Sequence, residues 1–275
     1  MDSQSLLTNV IEQSSNRRRF MQKLGAATAV LGAASAVQAQ DTAITDVDIL
    51  QFALNLEYLE AEFYTIATSG RSIDTFGVGI TGEGTAGATT GGSRVIFNNF
   101  PDPVSNIMEE LAFDERAHVT VIRTALTGAG VMPVAKPAIN LNGLGFGFGG
   151  QVDFIILARI LEDIGVTAYT GAAPLITDKA ILGVAARILA VEGFHAGNIR
   201  LLIAQNRYNT MKVDGVDVLP PPSGAKFFAT DNNALAAIRT PAQVLSLAYG
   251  KENAMGGGFF PAGFNGKLKM SGKSA

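Results

Sequence analysis

The feature that most constrains this chain is a repeated four-residue pattern that ends in histidine. Only two histidines occur among the 275 residues, and each closes a Glu-x-x-His sequence. The two copies are Glu115–His118 and Glu192–His195. Residues three apart on an α-helix share a face, so each copy directs one carboxylate and one imidazole the same way. We therefore expect two helices that each contribute an acid–histidine pair to a common interior.

Two further glutamates stand in matching surroundings on two other predicted helices. Aligning Glu57 with Glu162 places a tyrosine seven residues after each of them, at Tyr64 and Tyr169. The chain then reads as two copies of one helical hairpin, and such repetition is typical of a symmetric core or site. We predict that a pseudo-twofold arrangement gathers six residues around one centre: Glu57, Glu115, His118, Glu162, Glu192 and His195.

This combination of residue types predicts a metal centre. Four glutamates and two histidines from four helices form the ligand set of a carboxylate-bridged dimetal site. An unpaired carboxylate on an apolar helix face would be strongly unfavourable or would stay protonated, whereas a metal pair satisfies all four together. The pattern therefore predicts two metal ions, with one imidazole on each. The competing interpretation is a set of buried acid–histidine pairs that neutralise each other without metal.

The assignment of a fifth glutamate stays open. Glu60 lies one turn from Glu57 on the apolar arc of the same predicted helix. It could replace Glu57 as a ligand or add a further carboxylate. The repeat favours Glu57, because the equivalent of Glu60 in the second half is Gly165, which has no side chain to offer.

Three more residues have supporting roles in this prediction. Asp114 lies one turn before His118, and we expect it to support that imidazole from outside the ligand set. Tyr64 and Tyr169 could hydrogen-bond ligand carboxylates or carry a redox role. They could also be core tyrosines whose hydroxyls are simply satisfied.

Local signals predict an all-α fold. Thr45 and Asp178 have the residue types of helix starts, Pro174 ends the third helix, and Thr240 begins a short last helix. The predicted helices cover residues 45–68, 102–128, 152–173, 179–207 and 241–249. The second connection is long and the third is short, which indicates an antiparallel four-helix bundle with one long crossover.

The first predicted helix has one narrow polar strip. Its circumference is otherwise apolar, so we expect this helix to be buried on most sides. Glu62 lies outside the apolar arc, whereas Glu57 and Glu60 lie inside it. The strip contains Gln51, Asn55, Tyr58, Glu62 and Thr65.

Two segments fall outside the helical pattern. Residues 69–100 form a Gly-rich insertion, predicted to be a surface connection that could contain a hairpin. It is either a passive loop or a lid over one end of the bundle. Residues 210–275 read as an irregular C-terminal extension packed on a bundle domain of residues 40–209.

The N-terminal segment, residues 1–39, predicts export. Asn16–Met21 resembles a twin-arginine motif, followed by the apolar run Leu24–Val37 and a small-residue cleavage point before Gln40. The run is too short for a permanent membrane anchor, since spanning takes roughly 20 residues. This pattern predicts a periplasmic or extracellular protein.

Charge and cysteine usage exclude other classes. The formal net charge is −3, and the rest of the chain is more acidic than the N-terminal segment. Nucleic-acid binding would need a basic stripe, so we do not expect nucleic acid as a partner. There is no cysteine, so no disulfide stabilises the chain and no thiolate is available as ligand or nucleophile.

Three segments resemble the ferritin-like family that includes desiccation-related proteins and many exported bacterial proteins. They are residues 52–64 (FALNLEYLEAEFY), 240–245 (TPAQVL) and 257–261 (GGFFP), and the likeness covers about residues 45–266. The resemblance implies a four-helix bundle with a di-iron or dimanganese centre on the six residues named above. The insertion and the extension depart from compact cage-forming ferritins. The absence of cysteine departs from rubrerythrins, so cage storage and rubredoxin-like electron delivery are poorly supported.

The function that the resemblance implies is that of an exported dimetal-carboxylate protein in oxidative or desiccation stress. Its chemistry would be metal oxidation by dioxygen or peroxide, or peroxide breakdown, as in a ferroxidase, peroxidase or catalase. A second hypothesis is a structural or partner-binding bundle whose metal is stabilising or vestigial. A third is a manganese catalase. The sequence leaves the oligomeric state open.

Overall fold

The computed structural model describes residues 43–97 and 102–275, and the predicted export signal lies outside these residues. The predicted all-α fold is confirmed, with helix bounds within one or two residues of those expected. Two very short strands, β1 and β2, and two 3₁₀ turns, at Ile73–Phe76 and Ala173–Leu175, complete the elements of the described chain. The helices are α1 (Asp46–Ser69), α2 (Asp102–Gly128), α3 (Gln151–Ala172), α4 (Lys179–Asn206) and α5 (Pro241–Tyr249), and the strands are β1 (Thr89–Thr90) and β2 (Ile139–Asn140).

Side-chain caps account for the helix starts. Thr45 accepts a hydrogen bond from the backbone N–H of Asp48, whose carboxylate accepts in return from the Thr45 N–H. Asp178 accepts from two backbone N–H groups of the first turn of α4, and Thr240 forms a second capping box at α5. These contacts satisfy N–H groups that have no partner within the helix. Local sequence therefore sets where each of these helices begins.

The helices pair as two antiparallel hairpins, α1 with α2 and α3 with α4. On the first hairpin, Arg116 donates to Thr65 at 2.9 Å and Arg123 donates to the Tyr58 hydroxyl at 2.6 Å. The partner number falls by seven as the first number rises by seven, so α1 and α2 run in opposite directions. A long crossover of residues 129–150 joins the two hairpins, whereas α3 and α4 are joined by only a short turn.

The sequence predicted that α1 is buried on most sides, with one polar strip left over. In the structure this polar strip is buried as well. Glu62 is 0% exposed, and its carboxylate accepts from Thr89 at 2.9 Å and lies 3.2 Å from the Lys136 ammonium. Gln51 bonds the backbone of the crossover at Met132 and Val134. Helix α1 is therefore enclosed on all sides, because two loops supply polar partners for the strip.

The Gly-rich insertion and the crossover form this cover together. They pair in parallel between β1 and β2, with a further bridge between Glu83 and Val134. The two segments approach so closely that a Cβ on Gly82 would lie 1.9 Å from the Pro133 carbonyl oxygen. In the described part of the insertion no hairpin is present, so that option was wrong. The insertion pairs instead with the crossover, which follows α2 in the chain.

The first prediction tests this buried cover. We expect Lys136→Met to lower the free energy of unfolding by about 3–5 kcal/mol, because it leaves the Glu62 charge buried without its cationic partner. Lys179→Met, an exposed lysine at the start of α4, should stay within about 0.5 kcal/mol of the wild type. Urea unfolding followed by circular dichroism measures both. Equal stability of the two variants would show that the ion pair is not needed to hold the loops on α1.

The C-terminal segment contacts the bundle through aromatic rings and buried arginines. The Phe264 ring lies 5.3 Å from the Phe52 ring of α1, and Phe259 is 1% exposed. On the other side, the fully buried Arg159 of α3 donates to both Asp217 oxygens, at 2.7 and 2.9 Å. These contacts fix the segment after α4 against α1 and α3.

Among the helices of the described residues, α4 is long and apolar enough to cross a membrane by length and composition alone. Core helices of soluble proteins pass the same test. Its inward face carries Glu192, His195 and Arg200, all buried among the other helices. We therefore treat α4 as a bundle helix.

Candidate metal centre

All six predicted ligand residues lie in one buried cluster at the middle of the four long helices. Their exposures range from 0% to 7%. Each of the four helices contributes one glutamate, and α2 and α4 add one histidine each from the next helical turn. The structure thus brings together Glu57, Glu115, His118, Glu162, Glu192 and His195.

His118 is the centre of the first half of the cluster. Its Nδ1 atom lies 3.2 Å from Glu57 Oε2, 3.2 Å from Glu115 Oε2 and 3.5 Å from Glu192 Oε1. These three carboxylates come from α1, α2 and α4. One donor atom from each of the four residues lies within 4.8 Å of every other, which is a spacing that a single metal ion could occupy.

His195 is the centre of the second half. Its Nδ1 atom lies 2.9 Å from Glu115 Oε1 and 3.3 Å from Glu162 Oε2. Glu115 therefore directs one carboxylate oxygen to each histidine and belongs to both halves. The two imidazole rings are 6.2 Å apart between their centres. A shared carboxylate between two histidine-containing groups is the arrangement of a bridged dinuclear site.

The two tyrosines cross between the halves of the repeat. Tyr64 of α1 donates to Glu162 Oε1 of α3 at 2.5 Å, and Tyr169 of α3 donates to Glu57 Oε1 of α1. The exchange is reciprocal, as a pseudo-twofold axis requires, and it shows that α1 and α3 run antiparallel. Of the roles left open in the sequence, the structure shows hydrogen bonding to the predicted ligand carboxylates.

Asp114 contacts a different histidine from the one expected. The sequence placed it beside His118, but Asp114 Oδ2 lies 3.2 Å from Nε2 of His195 on α4. The sequence predicted a contact between Asp114 and His118, which lie four residues apart on α2. The packing of α2 against α4 instead brings the Asp114 carboxylate to the His195 ring. A carboxylate on the second nitrogen fixes the imidazole tautomer and orientation, leaving Nδ1 to face the cluster.

Glu60 and Glu57 occupy separate positions. Glu57 lies against His118, whereas Glu60 forms a group with Glu162 and Glu192 whose oxygens lie within 4.8 Å of one another. Gly165 lies beside this group: a Cβ there would be 2.2 Å from Glu192 Oε2. The missing side chain makes room for two carboxylates. Sequence alignment within the repeat identified Gly165 as the match to Glu60 but gave no sign of this spatial role.

Several polar atoms of the cluster lie within 3.5 Å of an imidazole or carboxylate atom but form no hydrogen bond, which tests whether the residues fit a metal. Six of its buried atoms have no hydrogen bond within the described residues. Five of the six lie 2.9–3.5 Å from an atom of another cluster residue without a hydrogen bond to it, and buried polar groups without hydrogen bonds are rare in proteins. A cation pair would satisfy them together, so the donor set fits. The atoms are Glu57 Oε2, Glu115 Oε1, Glu162 Oε2, both Glu192 oxygens and His195 Nδ1.

The electrostatics of the metal-free cluster favour bound protons. Burial raises the pKa of Glu192, and the adjacent Glu115 carboxylate raises it further. Burial and the surrounding carboxylates also raise the pKa of Glu60 well above its usual value. Burial opposes the charged form of His118, but the Glu57 and Glu115 carboxylates outweigh it and raise the pKa of this imidazole. Burial likewise opposes the charged form of Glu115, yet His118 and His195 hold its pKa below the usual range.

The second prediction concerns Gly165. We expect Gly165→Ala to weaken metal binding at least about tenfold, because the new methyl group must displace the Glu192 carboxylate and small displacements of ligands disturb metal sites. Alanine improves helix propensity by about 1 kcal/mol, so loss of affinity would not reflect a poorer helix. Gly183→Ala in α4, where a Cβ meets nothing within 4 Å, is the matched control and should bind metal normally. Competition with a colorimetric chelator measures the affinity, and equal values for the two variants would contradict the packing argument.

A four-helix bundle with buried glutamates from all four helices and histidines from two of them defines the class of carboxylate-rich bundle proteins. Residues 45–205 match the model of the ferritin-like domain family, and the chain belongs to that family. The resemblance recognised in the sequence is therefore confirmed.

Two relatives of known name are similar to this chain. The desiccation-related protein PCC13-62 of Craterostigma plantagineum is 24% identical over 191 residues, which cover 63% of this chain but only 58% of that relative. The ferritin-like catalase Nec2 of Nesocodon mauritianus is 23% identical over 275 residues, covering 81% of this chain and 84% of that protein. This chain is therefore similar to one protein named for desiccation and to one named as a catalase.

Proposed function

We propose that this chain binds two divalent metal ions, iron or manganese, and uses them to react with peroxide or dioxygen. The observation that carries the proposal is the set of buried donor atoms without hydrogen-bond partners, divided between two histidine-centred groups. Glu57 and His118 would hold one ion, Glu162 and His195 the other, and Glu115 would bridge them. Glu192 would add a further carboxylate to the first group.

The residues of the chain have separate tasks in this proposal. A bound metal pair supplies redox equivalents and Lewis acidity. Tyr64 and Tyr169 fix the orientation of Glu162 and Glu57 through their hydroxyls, which keeps each carboxylate oxygen turned toward the cluster. Asp114 holds the His195 ring with Nδ1 inward. Burial excludes bulk water and strengthens every electrostatic contact inside.

Peroxide breakdown is the first reaction to test, because a relative aligned over most of its length is named as a catalase. The reaction converts two molecules of hydrogen peroxide into two of water and one of dioxygen, so it needs no further reductant. We expect protein loaded with manganese or iron to release one dioxygen for each two peroxides consumed, measured with an oxygen electrode. Peroxide loss without dioxygen release would point to metal oxidation. No peroxide loss and no ferrous oxidation by the loaded protein would overturn the proposed chemistry.

A structural role is the second candidate, favoured by the position of the cluster. Its ligands come from all four long helices, so ions bound there would cross-link the bundle. The other relative is named as desiccation-related, which agrees with a stabilising role. Thermal unfolding with and without chelator, alongside the peroxide assay, separates the candidates. A large stability change with no turnover would favour the structural role.

We also propose that the chain is exported after folding, so that metal is acquired before export. The support is the sequence of residues 1–39, with Arg17 and Arg18 ahead of the apolar run. A double substitution, Arg17→Lys with Arg18→Lys, should retain the precursor in the cytoplasm, measured by cell fractionation and immunoblotting. Normal export of that variant would contradict a twin-arginine route.

A further inference from the structure

A small cavity adjoins the carboxylate side of the cluster, between α1 and α3. Its volume is about 20 Å³, which is room for one water-sized molecule. The walls are apolar, and Glu60 is the ionisable residue of the lining. Gly165 forms part of the same lining, and the Glu192 carboxylate lies where a Cβ on Gly165 would be. The cavity therefore ends at the Glu60 carboxylate, and the Glu192 carboxylate lies beside the part of the lining that Gly165 forms.

The C-terminal extension forms the roof of this cavity. Ala248 of α5 and Phe259 of the following turn complete the lining. Phe259 is held at both ends of its backbone: its N–H donates to the Ala248 carbonyl at 2.9 Å, and its carbonyl accepts from Asn140 at 2.8 Å. These two bonds fix the backbone of Phe259 beside the cavity. None of the six predicted ligand residues lies in the extension, so metal binding alone does not explain why this turn covers the cavity.

A larger pocket lies on the outer side of the same wall. Its volume is about 420 Å³, and Ile164 and Phe259 line both this pocket and the small cavity. Lys212 and Lys251 stand at the outer pocket, so it is open to polar molecules from solvent. The order from solvent inward is the outer pocket, the Ile164–Phe259 wall, the small cavity and then Glu60 with the cluster.

We infer that hydrogen peroxide or dioxygen reaches the cluster by this route, and that Phe259 and Ile164 form a constriction that excludes larger peroxides. The inference rests on the proposed reaction with small oxygen species and adds their entry path and size limit. Dioxygen and hydrogen peroxide are the oxygen species nearest in size to the one water-sized molecule for which the cavity has room. An alkyl peroxide with a branched carbon group does not fit. In this arrangement the C-terminal extension sets substrate size.

The first experiment changes the constriction. Phe259→Ala should raise the rate with tert-butyl hydroperoxide relative to hydrogen peroxide at least about tenfold, because removing the ring removes the steric barrier. Phe264→Ala is the matched control: it removes another buried ring of the C-terminal extension, but this ring lines neither cavity. Its selectivity should stay within about twofold of the wild type. Equal ratios in both variants, at equal metal content, would overturn the inference.

The second experiment fills the cavity. Ala248→Leu should slow the reaction of the ferrous protein with dioxygen or with hydrogen peroxide at least about tenfold. A slower reaction with either reagent supports the route and identifies the molecule that uses it. Unchanged rates with both reagents would overturn the route. Ala185→Leu, at a buried alanine of α4 outside the cavity lining, is the control for overpacking.

A third measurement needs neither metal nor turnover. Crystals of the metal-free protein under dioxygen pressure should show dioxygen beside Glu60 in the wild type and in Ala185→Leu, but not in Ala248→Leu, because the larger side chain fills the cavity. Absence of dioxygen from the wild-type cavity would overturn the route. Failure of the wild type to load metal would instead refute the proposed function, and the crystals under dioxygen would still decide whether the route exists.

Discussion

Replacing Glu115 with glutamine is expected to remove metal from both positions of the cluster at once. Glu115 is the carboxylate that places one oxygen near each histidine, at 3.2 Å from His118 and 2.9 Å from His195. Glutamine keeps the shape of the side chain but offers no charge to bridge two cations. We expect metal content, measured by mass spectrometry after loading and desalting, to fall from two ions per chain to almost none.

Turnover of the same variant should fall at least about 100-fold, since altering even the supporting partners of a metal ligand costs 10–100-fold. Two controls sharpen the result. Glu110→Gln changes an exposed glutamate of the same helix and should load two ions. Glu57→Gln changes a carboxylate near His118 alone and should retain one ion at the His195 half. Full loading of Glu115→Gln would contradict a bridging role.

Removing the metal is expected to destabilise the folded chain strongly. A ligand present at 100 times its dissociation constant stabilises a protein by about 2.7 kcal/mol at each site. Two sites then contribute about 5 kcal/mol, which corresponds to about 10–20 °C in Tm for a domain of this size. Differential scanning calorimetry before and after chelation measures the change. Chelator should leave the Tm of Glu115→Gln unaltered, because that variant has no metal to lose.

This stabilisation should grow as the pH rises. Glu60, Glu192 and His118 all have a raised pKa in the metal-free fold, so the folded chain binds more protons than the unfolded chain at neutral pH. These bound protons stabilise the folded, metal-free chain below the ordinary pKa values, which are 4.5 for the carboxyl groups and 6.5 for the imidazole. This stabilisation is lost as the pH rises through the raised pKa values of the folded chain. Glu115, with its lowered pKa, acts in the opposite direction but is a single group.

Metal must displace the same protons, so its affinity should increase about tenfold per pH unit for each proton released. The Tm difference between loaded and chelated protein is therefore expected to widen between about pH 5.5 and about pH 8. Calorimetric titration in buffers of different ionisation enthalpy counts the protons. A Tm difference that is constant or narrows with rising pH would contradict proton displacement from the cluster.

The predictable part of the molecule rests on local signals. The capping residues Thr45, Asp178 and Thr240 depend only on neighbours two or three residues away, which is why the helix starts could be predicted from the sequence. The Glu-x-x-His spacing is also local, because the rise and turn of the helix place both side chains on one face. The internal repeat made it possible to predict the site residues on all four helices. Two similar hairpins related by a pseudo-twofold axis place equivalent residues around that axis.

The repeat was less informative where its two halves differ. Asp114 has Val191 as its equivalent, and Glu60 has Gly165. At both places the structure departs from symmetry: Asp114 supports His195 across the bundle, and Glu60 extends into space that Gly165 leaves empty. These contacts depend on how far each helix is rotated toward its partner, and helical periodicity within one helix does not determine that rotation.

Sequence alone determined the helices, their antiparallel order and the six residues that meet at the centre, because these follow from spacing within helices and from an internal repeat. Tertiary structure decided what surrounds that centre. The Glu62 carboxylate is buried because Lys136 reaches it from the crossover, beyond the whole of α2 in the chain. The cavity beside Glu60 exists because Phe259 closes it from the C-terminal extension. Contacts across such distances in the chain depend on packing between elements, which no local pattern encodes.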